Sequence, residues 1–139
     1  MTDTERVTIL IAEDDDGHAE LIREHLQEAG LHNPMRRFHD GRDLLDFLLP
    51  RREELLPYLL LLDIRMPRLD GIDVLKKLKS DKRLRTIPVM MLTTTDDPRE
   101  IDQCYQLGCN CYITKPIEFK CFTETLKRLG LFIQIIRLP

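Results

Sequence analysis

The sequence predicts an α/β domain in which a parallel sheet of five strands carries helices on both faces. Five short apolar runs alternate with segments whose apolar residues recur at helical spacing. The third run, 58–62, holds a tyrosine and four consecutive leucines between Pro57 and Pro67, which is typical of a strand buried on both faces. Strands that alternate with helices favour right-handed crossovers, and therefore a mostly parallel sheet.

The predicted elements follow one another along the chain. Strands are predicted at 7–12, 35–38, 58–63, 88–92 and 110–114. Helices are predicted at 17–29, 41–49, 72–78, 99–107 and 118–129. In the first helix the apolar stripe is Leu21, Ile22, His25 and Leu26, with Asp15 or Asp16 as the N-cap. Asp70 is the predicted N-cap of the third helix.

Length and charge limit the classes of function. The 139 residues are expected to form one domain, 1–139, without a separate effector domain. Lys and Arg number 21 against 24 Asp and Glu, so a net charge of −3 offers no basic field for nucleic acid or an anionic membrane. Residues 1–6 lack the apolar stretch of a signal peptide, and no run approaches the roughly 18 apolar residues of a membrane span. The expected location is the cytoplasm.

The cysteines and histidines give no sign of a zinc site. The cysteines contain no C-x2-C pair and no closely spaced histidine, so free and largely buried thiols are expected. The histidines are dispersed, and each is expected at the surface or in helix packing. The residues concerned are Cys104, Cys109, Cys111, Cys121, His18, His25, His32 and His39.

Polar residues stand where four of the predicted strands end. Glu13 and Asp14 follow the first strand, and Asp63 ends the third. Thr93 and Lys115 follow the fourth and fifth strands. Since the carboxyl ends of parallel strands share one edge, where open α/β sheets bind ligands, these side chains are expected to lie together.

This set of side chains predicts phosphoryl chemistry at Asp63. We expect Asp63 to lie where the sheet meets solvent, ionised and held in place by the apolar residues behind it. Crowded carboxylates favour raised pKa values or a bound cation, and oxygen-only ligands point to Mg²⁺. Asp14 and Asp63 would bind the ion directly, and Glu13 through water. Lys115 and the Thr93 hydroxyl could neutralise a phosphoryl group, so aspartyl-phosphate formation is predicted at Asp63.

These residues resemble the receiver domain of two-component response regulators, and the resemblance covers nearly the whole chain. It implies a flavodoxin-like sheet in the order 2-1-3-4-5, phosphotransfer from the phosphohistidine of a sensor histidine kinase, and dependence on Mg²⁺. It implies a signalling domain rather than an enzyme, with self-phosphorylation and self-dephosphorylation at most. The motifs that carry it are Glu13-Asp14, Leu62-Asp63, Met66-Pro67, Asp70-Gly71, Thr93, Tyr112 and Lys115-Pro116.

The same resemblance implies further roles for particular residues. The backbone carbonyl of Arg65 would be a metal ligand, and the Lys115-Pro116 bond would be cis. Thr93 and Tyr112 would move on phosphorylation. Arg65 stands two residues after the phosphoacceptor, where the family is variable and the side chain is thought to tune the lifetime of the phosphoryl group.

More narrowly, the chain resembles the single-domain regulators partnered with bacterial phytochrome kinases. The features that carry this are the charged connector before Tyr58, the segment 110–112 and the ending Leu138-Pro139. The tail 131–139 is apolar at six of its nine positions, so it is expected to be ordered. With the fourth helix, the last strand and the fifth helix it is expected to build a homodimer; the alternative is a monomer whose tail folds back.

Three other functions are compatible with an α/β domain of this kind. A haloacid-dehalogenase-like phosphatase needs a second aspartate two residues after the nucleophile, and Arg65 occupies that place. A flavodoxin-like binder needs a phosphate loop after the first strand, where the acidic run 13–16 would repel phosphate. An unphosphorylated protein-interaction module with a vestigial pocket remains an alternative.

Overall fold

The computed structural model describes residues 7–28, 30–54, 57–93, 97–115, 120, 124 and 125. Within them, five strands form one parallel sheet in the order β2-β1-β3-β4-β5. The predicted fold class and strand order are therefore confirmed. The strands are β1 (Thr8–Ala12), β2 (Met35–Phe38), β3 (Tyr58–Asp63), β4 (Val89–Thr93) and β5 (Cys111–Thr114).

The helices of the described ranges begin where aspartate side chains cap them. Asp40 accepts a hydrogen bond from the backbone N–H of Asp43, and Asp70 accepts one from Asp73, as predicted for Asp70. Asp15 accepts the backbone N–H of His18 at 2.9 Å. The α-helices are α1 (Asp16–Glu28), α2 (Gly41–Leu48), α3 (Gly71–Ser80) and α4 (Pro98–Leu107), and short 3₁₀ helices span Leu49–Glu54 and Leu84–Thr86.

The sheet separates two apolar clusters. One contains Leu60 and Leu62 with the inner faces of α2 and α3, and the other contains Leu59 and Leu61 with the inner face of α1. Every residue of β3 is buried, which confirms the prediction of a strand covered on both faces. This central strand carries Asp63 at its carboxyl end.

One position of the apolar stripe predicted for the first helix is wrong. Leu21 is 46% exposed, because the face of α1 that meets the sheet consists of Ala19, Ile22 and Leu26, spaced by three and four residues. The second helix ends one residue earlier than predicted, because the chain leaves α2 after Leu48 and continues from Leu49, which is 40% exposed, as a 3₁₀ helix.

Several predictions fall on other parts of the chain. The predicted fifth helix is described only at residues 120, 124 and 125. The cis bond at Pro116, the tail 131–139 and Cys121 lie outside the described residues, as does most of the dimer surface predicted for the fifth helix and the tail. The other three cysteines are free and buried, as predicted. None of the helices in the described ranges has the length and apolarity needed to cross a bilayer.

Candidate functional site

The carboxyl edge of the sheet brings three acidic side chains together. Glu13 follows β1 directly and is fully buried, Asp14 is exposed, and Asp63 ends β3. One carboxylate oxygen from each of the three lies within 4.8 Å of the others. We call Glu13, Asp14, Asp63 and Lys115 the acidic pocket.

Lys115 enters the acidic pocket from the end of β5. Its backbone N–H donates to the carbonyl oxygen of Thr93 at 2.6 Å, which continues the pairing of β4 with β5 by one residue. Its Nζ lies 2.9 and 3.1 Å from the two carboxylate oxygens of Glu13, and 3.5 Å from Oδ1 of Asp63. The ammonium is therefore hydrogen-bonded to Glu13, and Asp63 is its more distant ion-pair partner.

Asp63 is not at the boundary with solvent, which corrects the expectation from the sequence. Only 2% of the residue is exposed, and burial raises the pKa of its carboxyl to about 7. The neighbouring Glu13 adds to this rise in pKa, while Lys115 and the backbone N–H of Arg65 oppose it. In this environment the carboxyl is poised between its protonated and ionised forms near neutral pH.

The start of α3 lies very close to the backbone at the end of β3. The backbone N–H of Gly71 donates to the carbonyl oxygen of Ile64 at 2.8 Å. A β-carbon at Gly71 would lie 2.2 Å from the carbonyl oxygen of Asp63. Glycine is therefore required where the loop turns back on the strand. The sequence Asp70-Gly71 thus combines a helix cap with this close approach.

The two predicted switch residues are in contact. Thr93 is fully buried at the end of β4, and the Tyr112 hydroxyl is hydrogen-bonded to its side chain. Burial raises the pKa of Tyr112 to about 12, so its hydroxyl keeps its proton at physiological pH. Beside them, the Arg65 side chain donates to Glu100 of α4 at 3.2 Å.

The sequence did not point to two further residues of the site. His18, expected at the surface or in helix packing, places Nδ1 3.2 Å from Oε1 of Glu13 and 3.3 Å from Nζ of Lys115. Arg37 donates from Nε and Nη2 to the backbone carbonyl of Glu13, at 3.0 and 2.8 Å. The one local signal for His18 is its position in the first turn of the helix that follows the acidic run.

The donor set suits a hard divalent cation. Carboxylate oxygens are the ligands that Mg²⁺ and Ca²⁺ prefer, and two of the three acidic residues are buried rather than free in solvent. The raised pKa of Asp63 is the mark of carboxylates crowded in a poorly solvated place, and a cation would relieve that crowding. The residues present therefore fit Mg²⁺, the ion predicted from the sequence.

Residues 9–127 match the family described as the response regulator receiver domain. The chain belongs to that family. A curated relative of this receiver domain is the polar-differentiation response regulator DivK of Brucella anthropi, 34% identical over 120 residues that cover 86% of this chain and 93% of DivK.

Solved structures agree with this assignment. The response regulator receiver domain from Rhodospirillum rubrum is 43% identical, with a TM-score of 0.78 and coverage of 96% of this chain and 97% of that one. The bacteriophytochrome response regulator RtBRR is 36% identical, with a TM-score of 0.83 and coverage of 96% and 84%. The narrower resemblance to phytochrome-associated regulators is thus confirmed at the level of structural similarity.

Proposed function

We propose that this receiver domain accepts a phosphoryl group on Asp63 from the phosphohistidine of a sensor histidine kinase, with Mg²⁺, and that phosphorylation changes its partner binding. The observation that carries the proposal is the meeting of Asp63, two further acidic residues and the Lys115 ammonium at one edge of the sheet. Both carboxylate oxygens of Glu13 are already hydrogen-bonded to the ammonium, whereas Asp63, at the end of the central strand, faces it at 3.5 Å. Asp63 is therefore the proposed acceptor.

The proposed transfer needs Asp63 in its ionised form. One carboxylate oxygen attacks phosphorus, a P–O bond forms as the P–N bond of the donor breaks, and the electron pair of that bond returns to the donor imidazole. The transferred group carries charge on three oxygens. The Lys115 ammonium, which lies 3.5 Å from Oδ1 of Asp63, would donate a hydrogen bond to one of these oxygens. The Thr93 hydroxyl would donate to another.

The proposed metal ligands are Glu13, Asp14, Asp63 and the backbone carbonyl of Arg65. Mg²⁺ bound there would supply positive charge that favours ionised Asp63 and balances the phosphoryl oxygens. Glu13 is fully buried and bonded to Lys115, which supports the proposal that it acts through water rather than directly.

The proposed output is a change on the α4 and β5 side. Thr93 would turn toward the phosphoryl group, and the hydrogen bond that joins it to Tyr112 would transmit that movement. The proposed kinase is of the phytochrome type, which similarity to bacteriophytochrome response regulators supports. The proposed location is the cytoplasm, and the proposed assembly is a homodimer through the α4 and β5 side, the fifth helix and the tail.

The test is labelling with a small phosphodonor. Wild-type protein, Asp63→Asn and Asp46→Asn are incubated with acetyl phosphate, with Mg²⁺ or with a chelator, and the acid-labile phosphate is mapped. Asp46 is the matched control because it lies exposed on α2. We expect acetyl phosphate to label wild type and Asp46→Asn when Mg²⁺ is present and not when the chelator is present. Asp63→Asn should not be labelled in either condition. Label on Asp63→Asn would refute the assignment, and no label on wild type would favour the vestigial interaction module.

The dimer proposal has its own measurement. Light scattering of the full chain and of a chain ending at Gly130, each with and without Mg²⁺ and a phosphoryl mimic, reports the oligomeric state. A monomer under every full-length condition would contradict the proposed dimer.

A further inference from the structure

His18 is a neighbour of the acidic pocket that the proposed reaction leaves unused. Its Nδ1 lies 3.3 Å from Nζ of Lys115, although 97 residues separate the two in sequence. The His18 side chain is 45% exposed, whereas that of Lys115 is 8% exposed. The imidazole therefore lies on the solvent side of the ammonium.

The hydrogen-bonding roles at this contact follow from the chemistry of lysine. In a hydrogen bond to Lys115, Nδ1 of His18 must be the acceptor, because an ammonium group can only donate. Oε1 of Glu13 lies 3.2 Å from the same Nδ1 and 3.1 Å from Nζ. The imidazole, the carboxylate and the ammonium therefore form one compact cluster.

The position of the imidazole is fixed by its backbone. The N–H of His18 donates to Oδ1 of Asp15 at 2.9 Å, the hydrogen bond that caps α1. Asp15 precedes the helix directly, and Ala19 in the same turn is buried against the sheet. The side chain of His18 therefore leaves the helix from a turn that the fold holds in place.

We propose that His18 is a positioning residue that holds the Lys115 ammonium beside Asp63 while the phosphoryl group is transferred. The inference rests on the proposed function. The Lys115 ammonium has Glu13, Asp63 and His18 as neighbours. In the proposed reaction Glu13 and Asp63 would also interact with the metal, and Asp63 with the phosphoryl group. His18 is not among the proposed metal ligands, and it keeps its contact with Lys115 when the carboxylates are engaged elsewhere.

The kinetic test compares four full-length proteins with phosphoramidate as the donor. They are wild type, His18→Ala, His18→Asn and His39→Ala. Asn can place its amide oxygen where Nδ1 lies, so it retains an acceptor. His39 is exposed, and its ion-pair partner is the exposed carboxylate of Asp16, so it is the matched control. Mg²⁺ is titrated at a fixed excess of donor.

We expect a change in rate constant without a change in metal affinity. In His18→Ala the rate constant for labelling Asp63 at saturating Mg²⁺ should fall about tenfold, the size of one charged hydrogen bond. The Mg²⁺ concentration for half-maximal rate should stay the same, as should the dissociation constant from calorimetry. His18→Asn should recover most of the rate, and His39→Ala should match wild type.

A second readout reports on Lys115 directly, in protein without metal or donor. The ¹⁵N ammonium resonance of Lys115 should be sharp in wild type and in His18→Asn, and broadened by exchange with water in His18→Ala. Equal rate constants in all four proteins, or an unchanged ammonium resonance in His18→Ala, would overturn the inference and leave the proposed function standing. Failure to label wild type would overturn the proposed function, and the inference with it.

Discussion

The two edges of the sheet hold ion pairs of the same chemistry in opposite surroundings. At the carboxyl edge, Lys115 lies 2.9 Å from Glu13 in the acidic pocket. At the amino edge, Arg83 lies 3.3 Å from Glu53 in a surface depression of about 560 Å³, which we call the basic groove. The basic groove is lined by Arg52, Glu53, Lys82, Arg83 and Thr86.

What separates the two edges is water. The paired side chains of the basic groove are 61% and 66% exposed, whereas those of Lys115 and Glu13 are 8% and 0% exposed. Water screens the first pair and cannot screen the second. Similar distances therefore carry different energies, and at the carboxyl edge burial raises the pKa of Asp63 to about 7.

The largest expected effect comes from removing the cation of the buried edge. Lys115→Met should lower the free energy of unfolding by about 3 to 5 kcal/mol, because it leaves Glu13 and Asp63 buried without their partner. Urea denaturation at pH 7 without metal measures this. A loss below about 1 kcal/mol, the size expected of a surface pair, would remove the contrast between the two edges.

A second substitution tests the close approach of α3 to the backbone of Asp63. Gly71→Ala should cost about 2 to 3 kcal/mol, because the new methyl group would meet the backbone of Asp63 at 2.2 Å. Gly17→Ala is the matched control, since its nearest contact is a side-chain oxygen at 3.2 Å. That control should be neutral or stabilising by up to about 1 kcal/mol. Equal thermal unfolding of the two variants would contradict the packing described.

The buried edge should also make stability depend on pH. The pKa of Asp63 in the folded protein is about 7, above the 3.8 of an ordinary aspartate. Between these values the unfolded chain has released its proton while the folded protein keeps it, so the free energy of unfolding falls as pH rises. The slope is at most about 1.4 kcal/mol per pH unit. Below pH 3.8 the contribution of Asp63 to the free energy of unfolding is fully present, and above about pH 7 it is lost.

The measurement is the difference in unfolding free energy between wild type and Asp63→Asn, in a chelator, across that range of pH. The variant has no carboxyl to titrate at this position. Its free energy of unfolding relative to that of wild type should therefore rise with pH and level off near pH 7. A difference that stays constant across this range of pH would contradict the raised pKa of Asp63.

A smaller effect is expected at the hydroxyl pair beside the acidic pocket. Tyr112→Phe removes the hydrogen bond to the buried Thr93 and should cost about 1 kcal/mol. If the pair transmits phosphorylation, the same variant should lose the phosphorylation-dependent chemical shift changes of α4. Retention of those changes would contradict the proposed switch.

The smallest effect is expected in the basic groove. Arg83→Met should change the free energy of unfolding by less than about 1 kcal/mol, and high salt should abolish even that, because both partners are exposed. Urea denaturation at two salt concentrations measures it. A cost close to that of Lys115→Met would show that solvent exposure does not separate the two edges.

Local patterns in the sequence were enough for the fold and for most of the site. The spacing of apolar residues, the acidic residues at strand ends and the capping aspartates are all features of a few neighbouring residues. They were therefore enough to predict the individual strands and helices and the cap at Asp70. They also predicted that Glu13, Asp14, Asp63 and Lys115 would meet, because strand ends share an edge in any parallel sheet.

The tertiary structure alone decided how those residues pair. Lys115 bonds Glu13 across 102 positions, and His18 joins them only because α1 is rotated to bury Ala19 rather than Leu21. Asp63 is buried in the tertiary structure, and α3 packs against its backbone at Gly71. The rotation of a helix and its distance from the sheet depend on the summed contacts of the whole core. Residue type and spacing report only on contacts between residues that are close in sequence, so they could not predict either quantity.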